Sequence, residues 1–443
     1  MKIQLRDHFT YKKLLRFTLP SIGMMIFTSI YGVVDGFFVS NFVGETAFAA
    51  VNFTMPSLMI LGAIGFMFGA GGSALVSKTL GEGNKEKANS LFSLFVYVPM
   101  ALGVIVAILG FVFLKPLVSL LGAEGQMLEY CVRYGRIIVL GLVFYMLQME
   151  FQSFMITAEK PQLSFIFTVI AGCTNIVLDA LFVAVFKWGL EGAAIATVLS
   201  QIVGCVCPLI YFIQSNSSLL RLGKAKTDFG ALIKACTNGS SELMSNISMS
   251  LVGMLYNTQL LKYAGEYGVA AYGVLMYVNF IFISAFIGYS IGCAPVIGYH
   301  YGAKNSDELK GILRKSVTII AISSVCMVVL AELLASPMSQ LFVGYNEELC
   351  QLTKRAFLFY SFAFLFSGFA IFGSSFFTAL NNGPVSAIIS FMRTLVFQVA
   401  AVIILPIIFN GVDGIWLSIV VAEALAVIVT VIFIFAKRKK YGY

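Results

Sequence analysis

Gly44-Glu45-Thr46-Ala47-Phe48-Ala49-Ala50 returns 221 residues later as Gly265-Glu266-Tyr267-Gly268-Val269-Ala270-Ala271. The register holds outward from that stretch. Gly71 has its mate at Gly292, Gly81 to Asn84 at Gly302 to Asn305, and Thr157-Ala158 at Thr378-Ala379, while the Gly189/Gly192 pair recurs one residue later at Gly411/Gly414. A spacing this constant over a whole chain marks a duplication into two related bundles. Paired bundles facing one another are a common architecture for alternating access across a membrane.

Of the 443 residues, 59% are hydrophobic and only 11% charged, with a mean hydropathy of +0.92. Soluble chains carry about 25% charged residues, so an ordinary soluble protein is excluded. Apolar stretches of roughly 20 residues, the length that crosses a ~30 Å hydrocarbon core, can be placed twelve times. They are predicted at 14–41, 49–77, 90–115, 127–157, 161–186 and 190–214, then at 232–261, 268–299, 312–336, 354–380, 384–409 and 414–436. The expected fold is an all-α polytopic membrane protein, twelve transmembrane helices in two pseudo-symmetric six-helix lobes. Residues 1–214 form the first lobe, 215–230 a polar linker and 231–443 the second lobe. Six spans per half is an even number, so both halves enter the membrane in the same direction and are related by a pseudo-two-fold along the membrane normal.

Placement of charge matters more than the formal net charge of +8, which in a soluble protein would suggest nucleic acid. With the N-terminus inside, 21 of the 29 Lys and Arg fall on the inner side, among them Lys2, Arg6, Lys12, Lys13, Arg16, Lys224, Lys226 and Lys437 to Lys440. Lys115, Arg133, Arg136, Lys187, Lys262, Lys354 and Arg355 fall outside, and Arg393 lies within a span. This bias predicts a multi-pass protein of the plasma (inner) membrane with both termini cytoplasmic. Met1 to Arg16 is basic and lacks the apolar core and cleavage site of a signal peptide, so the first helix is expected to serve as the insertion signal. The eight cysteines read as packing residues, and Gly81-Glu-Gly-Asn84 lacks the Lys-Ser/Thr of a phosphate loop. No cofactor and no nucleic-acid partner are expected. The chain is expected to act as a monomer in the lipid bilayer.

Ionisable residues inside a membrane are costly and carry a functional expectation. Five carboxylates qualify: Asp35, Glu150, Asp179, Glu242 and Glu423. At ~1.5 Å per residue, Asp35 lies about 9 Å from the outer end of the first span and Asp179 about 12 Å from the outer end of the fifth. Asn175 is one turn from Asp179 on the same face, Thr197 enters the sixth span to a similar depth, and Ala193 precedes it by one turn. Carboxylates, an amide and a hydroxyl at one level suit a hard cation such as Na+ or a shared proton, with Ala193 offering a backbone carbonyl. The equivalent positions of the second half are Tyr256, Phe397 or Gln398, Ala401 and Ile419, so the constellation belongs to one lobe alone. Glu150 and Glu242 lie nearer the inner side and Glu423 near mid-depth. They are expected either to face a wet cavity and attract a cationic substrate or to pair with Arg393. Tyr145, Met244, Met249, Met254, Tyr256, Asn257, Phe280 and Phe282 complete the expected substrate surface.

In this order and spacing the chain resembles the multidrug and toxic compound extrusion (MATE) family. The resemblance rests on Pro20 with Asp35, on Gly71 with Gly81-Glu-Gly-Asn84, on Asn175-Ile-Val-Leu-Asp179 and on Gly189-Leu-Glu-Gly-Ala-Ala-Ile-Ala-Thr197. It implies a V-shaped pair of six-helix lobes and Na+- or H+-coupled antiport of amphipathic, often cationic drugs, with the coupling ion at Asp35, Asn175, Asp179 and Thr197. Members with acids in the tenth span differ from this chain, which has none between Ala356 and Leu380, and the mate of Pro20 falls in Ser240-Ser241-Glu242. A lipid-linked oligosaccharide flippase would share the lobes but calls for several cavity cations, whereas the buried charge here is acidic with one Arg393. A membrane-embedded transferase would need a catalytic constellation, yet the only histidines are His8 and His300, without ligand spacing.

Overall fold

The computed structural model describes residues 3–120 and 122–443; Lys2, counted above among the inner cations, lies outside the described residues. Among the described residues the regular structure is all helical, and hydropathy explains why each helix is so long. α1 (Tyr11–Phe42), α2 (Glu45–Gly81), α3 (Lys85–Leu120), α4 (Gly125–Thr157), α5 (Pro161–Asp179) and α6 (Gly189–Ile213) make the first lobe. α7 (Phe229–Gly302), α8 (Ser306–Val343), α9 (Glu347–Tyr360), α10 (Phe364–Ala379), α11 (Gly383–Phe391), α12 (Phe397–Ile408) and α13 (Asp413–Tyr441) make the second.

α7 counts as two spans. Its 74 residues would measure roughly 110 Å if straight, far more than a bilayer. The helix breaks at Gly265, where φ is +61° and ψ −154°. Gly44, its mate in the opening stretch, has φ +121° and joins α1 to α2. Both positions lie in backbone space that favours glycine, so the repeated Gly-Glu is the turn between the first two spans of each lobe. The ninth span joins α9 to α10 through a 3₁₀ turn, Ser361–Ala363. The eleventh joins α11 to α12 through a π-turn, Met392–Val396. Twelve spans result, in two lobes, and the residues ahead of α1 lie on one face with Tyr441 and Tyr443, here called the terminal face.

Membrane exposure is visible in the same pattern. On α3, Val104, Ile108 and Val112 project outward at 48%, 59% and 59% exposure, and their mates Val325, Val329 and Leu333 do so on α8. Apolar stripes of this length belong against lipid, not water.

The lobes meet toward the terminal face through backbone contacts that only glycine permits. A Cβ on Gly81 would overlap the Tyr299 carbonyl, and one on Gly302 would overlap that of Lys78. Gly71 faces Ala235 and Gly239, while its mate Gly292 faces Thr18 and Ser21. The series continues toward the opposite face through Gly288 on Ser21 and Ile22 and ends at the hydrogen-bonded pair Ser29 and Ser284. Residues ahead of α1 straddle the join. Leu5 N–H donates to Glu159 Oε1 of the first lobe at 2.6 Å, and Phe9 N–H donates to Glu308 Oε1 of the second at 2.8 Å. Leu5 and Phe9 are fully buried, worth about 1.5–3 kcal/mol each in apolar transfer.

Candidate functional site

In the first lobe, close packing draws three helices to one level. The space a Cβ would take at Gly172 on α5 is filled by Phe27 and Tyr31 of α1, so these helices approach closely just before Asn175. Directly after Asp179 the helix widens into a π-turn, Ala180–Val185. The Asp35 carboxyl therefore meets the side chains of Asp179, Thr197 and Asn175. Asp179 and Asn175 are buried and Asp35 half-buried. Asp35 Oδ1, both Asp179 oxygens and Asn175 Nδ2 have no hydrogen-bond partner among the described residues. Thr197 Oγ1 donates to the Ala193 carbonyl at 3.0 Å.

The Ala193 carbonyl also accepts the helical amide one turn on, so the hydroxyl uses its second lone pair and Ala193 orients Thr197. Residue patterns missed Tyr134 of α4, which lies within electrostatic range of Asp35 and Asp179 with its hydroxyl buried and unpartnered. Its depth, about 13 Å from the start of α4, was the available signal. Two carboxyl groups so enclosed are expensive as bare charges. Oxygen ligands at this density suit a shared proton or a small hard cation.

The second lobe holds a cavity of about 310 Å³. Glu242, Ser245, Met249, Val252, Gly253 and Tyr256 line it from one stripe of α7 at intervals of three and four, the spacing of one helix face. Opposite stand Phe280, Tyr360, Arg393 and Glu423. Arg393 Nε donates to both Glu423 oxygens, at 3.1 and 2.8 Å. Tyr256 stacks on Tyr272 at 5.5 Å with planes 3° apart. Tyr256, Gln398 and Ile419, repeat mates of the first-lobe constellation, all line this cavity.

Several residues expected at the substrate surface lie off this cavity. Glu150 is fully buried in the first lobe, behind Gly69 of α2 and near Cys205 of α6, with neither oxygen partnered. It cannot reach Arg393, which has taken Glu423. Tyr145 packs against Gly62 and Phe66 of α2. Asn257 follows Tyr256 by about 100° of helix rotation and faces a shallow outer hollow with Thr258 and Glu266. Met244 and Met254 fall off the cavity stripe and are exposed, and Phe282 is buried edge-on to Phe364 at 5.0 Å. Glu242, Tyr256, Glu423, Met249 and Phe280 line the second-lobe cavity.

A family model, MatE, matches residues 20–181 and again 243–404, in tandem and in the order of the two lobes. The chain belongs to the MatE family. Among MatE relatives, the multidrug export protein MepA of Staphylococcus saprophyticus subsp. saprophyticus is 24% identical over 97% of this chain and 94% of its own length. MepA of Staphylococcus haemolyticus is 25% identical with the same coverage. A solved structure of the outward-facing conformation of a multidrug resistance MATE family transporter of the MOP superfamily superposes with a TM-score of 0.93. It is 23% identical and covers 99% of this chain and 98% of that one. A MOP superfamily transporter from Pyrococcus furiosus superposes at 0.91 and 24% identity, again over 99% and 98%. Both solved structures share with this chain the fold of paired six-helix lobes.

Proposed function

We propose that this chain exports amphipathic, often cationic compounds by alternating access, in exchange for Na+ or protons bound at Asp35, Asn175, Asp179 and Thr197. The carrying observation is the convergence of two carboxyl groups, an amide and a hydroxyl with unpartnered atoms in the first lobe, at positions whose second-lobe mates carry no acid. A requirement of the fold alone would recur in both halves. Tyr134 joins the set as a hydroxyl that can follow the charge of the acids. The names of the MepA relatives point to multidrug export.

The excess of Lys and Arg supports a cytoplasmic terminal face in the plasma membrane. Lobes packed together from that face as far as Ser29 and Ser284 fit an outward-open state. A coupling ion acts only through different affinities for the two states. The enclosed first-lobe constellation, which α1 completes, is where such a difference would arise. Dye efflux from proteoliposomes under an imposed Na+ gradient, and separately a proton gradient, tests the reading. Efflux indifferent to both gradients would refute it.

A further inference from the structure

The second-lobe cavity contains three charged side chains, and their formal sum selects a ligand. Counted formally, Glu242 and Glu423 contribute two negative charges and Arg393 one positive, leaving one net negative charge. The pairing is asymmetric: Arg393 is bound through Nε to Glu423, while Glu242 lies within electrostatic range of Arg393 and lines the cavity from the far helix. Arg393 sits inside the π-turn Met392–Val396, and such turns often mark functional positions in helices. The stacked pair Tyr256 and Tyr272, with Tyr360 and Phe280, gives the cavity flat aromatic walls against which a delocalised cation is favoured. At about 310 Å³ the cavity takes one compact drug-sized ring system.

We propose that Arg393 sets the charge selectivity of this cavity, making it a site for aromatic monocations and excluding dications. A monocation balances Glu242 and leaves the Arg393–Glu423 pair intact. A dication leaves one charge uncompensated in a space of low dielectric, opposite a fixed guanidinium. At an effective dielectric of about 20, one unit charge within about 10 Å changes affinity by at least about tenfold. The inference rests on the exporter reading for its biological sense but concerns equilibrium binding, which needs no gradient.

Ethidium and its dicationic analogue propidium, titrated by fluorescence anisotropy against the purified chain in nanodiscs, provide the test. The wild type is expected to prefer ethidium. Arg393→Gln brings the cavity to two net negative charges and should raise the propidium-to-ethidium affinity ratio about tenfold or more. The double variant Arg393→Gln with Glu423→Gln restores one net negative charge without an unpaired acid, and the ratio should return to within about threefold of wild type. A ratio unmoved by Arg393→Gln, a double variant that keeps the raised ratio, or a wild type that binds neither dye would each overturn the proposal. Expected ratios without ion-driven efflux would refute the exporter reading alone.

Discussion

Gly81 of α2 rests on the carbonyl of Tyr299 in α7, and 221 residues on, Gly302 rests on the carbonyl of Lys78. Each glycine packs against the residue three before the other's position in the repeat, so the two lobes cross at one reciprocal contact. This is the pseudo-two-fold written in backbone atoms. A rocking motion of lobe against lobe must break or pivot on it.

Gly81→Ala and Gly302→Ala should therefore have matching effects. Each places a methyl on backbone, where no flexible side chain can yield, at a cost of about 1–3 kcal/mol to the closed terminal face. Gly223→Ala, where a Cβ would meet nothing within 4 Å, should be silent. Melting of the three variants in detergent and thiol labelling of a cysteine placed at Ser21 would read this out. Unchanged labelling in both interface variants would show that the contact does not hold the face shut.

Asp35→Asn and Asp179→Asn should each abolish ion-driven efflux, at least a ~100-fold loss, while the proteins insert and fold. They keep shape and remove the charge that a cation or proton neutralises. Tyr134→Phe should give a smaller loss of about tenfold, since it removes one hydroxyl beside two acids. Normal transport by both Asn variants would remove the constellation from the mechanism.

Glu242→Gln takes the cavity to formal neutrality, so cations should lose affinity by about tenfold while neutral aromatic compounds of the same size are spared. Competition binding with matched cationic and neutral compounds decides it. Equal losses for both classes would mean that Glu242 acts through structure.

Glu159 lies in the turn between α4 and α5, outside the spans. Burial raises its carboxyl above the ordinary 4.5, against the lowering effect of the Leu5 N–H bond. A raised folded value means that docking of residues 3–10 is favoured at low pH and weakens as pH rises through that value. Hydrogen exchange at Leu5, corrected for intrinsic rates, should slow from pH 7.5 to pH 5. Glu159→Gln should flatten the dependence because its amide oxygen still accepts from Leu5. Glu159→Ala should cost about 1–3 kcal/mol of docking by leaving that N–H bare.

A reporter fused after Tyr443 should behave as cytoplasmic. An odd number of spans, or a reversed orientation, would place it outside. Activity characteristic of the outer compartment would overturn the charge-based topology.

Hydropathy, the 221-residue repeat and the even number of spans were legible in the amino-acid sequence, because lipid demands long apolar helices and a duplication repeats its turns, down to the glycines at 44 and 265. The first-lobe constellation was legible too: depth along a helix follows directly from counting residues, and Asp35, Asn175, Asp179 and Thr197 came out level. Facing directions on α7 follow simple helical periodicity from Glu242 to Tyr256, which the expectation of Met244, Met254 and Asn257 on the same surface did not respect. What only the tertiary structure decided was partnership between helices. Arg393 takes Glu423 and not Glu150 because Glu150 lies enclosed in the other lobe, and a π-turn rephases the helix that carries Arg393, a shift that residue counting cannot register. The burial of Tyr134 beside two acids and the seating of Gly81 on Tyr299 belong to the same class. They depend on how far apart two helix axes lie and how each is rotated, and side-chain packing along the whole interface sets both quantities, which the order of residues in either helix does not.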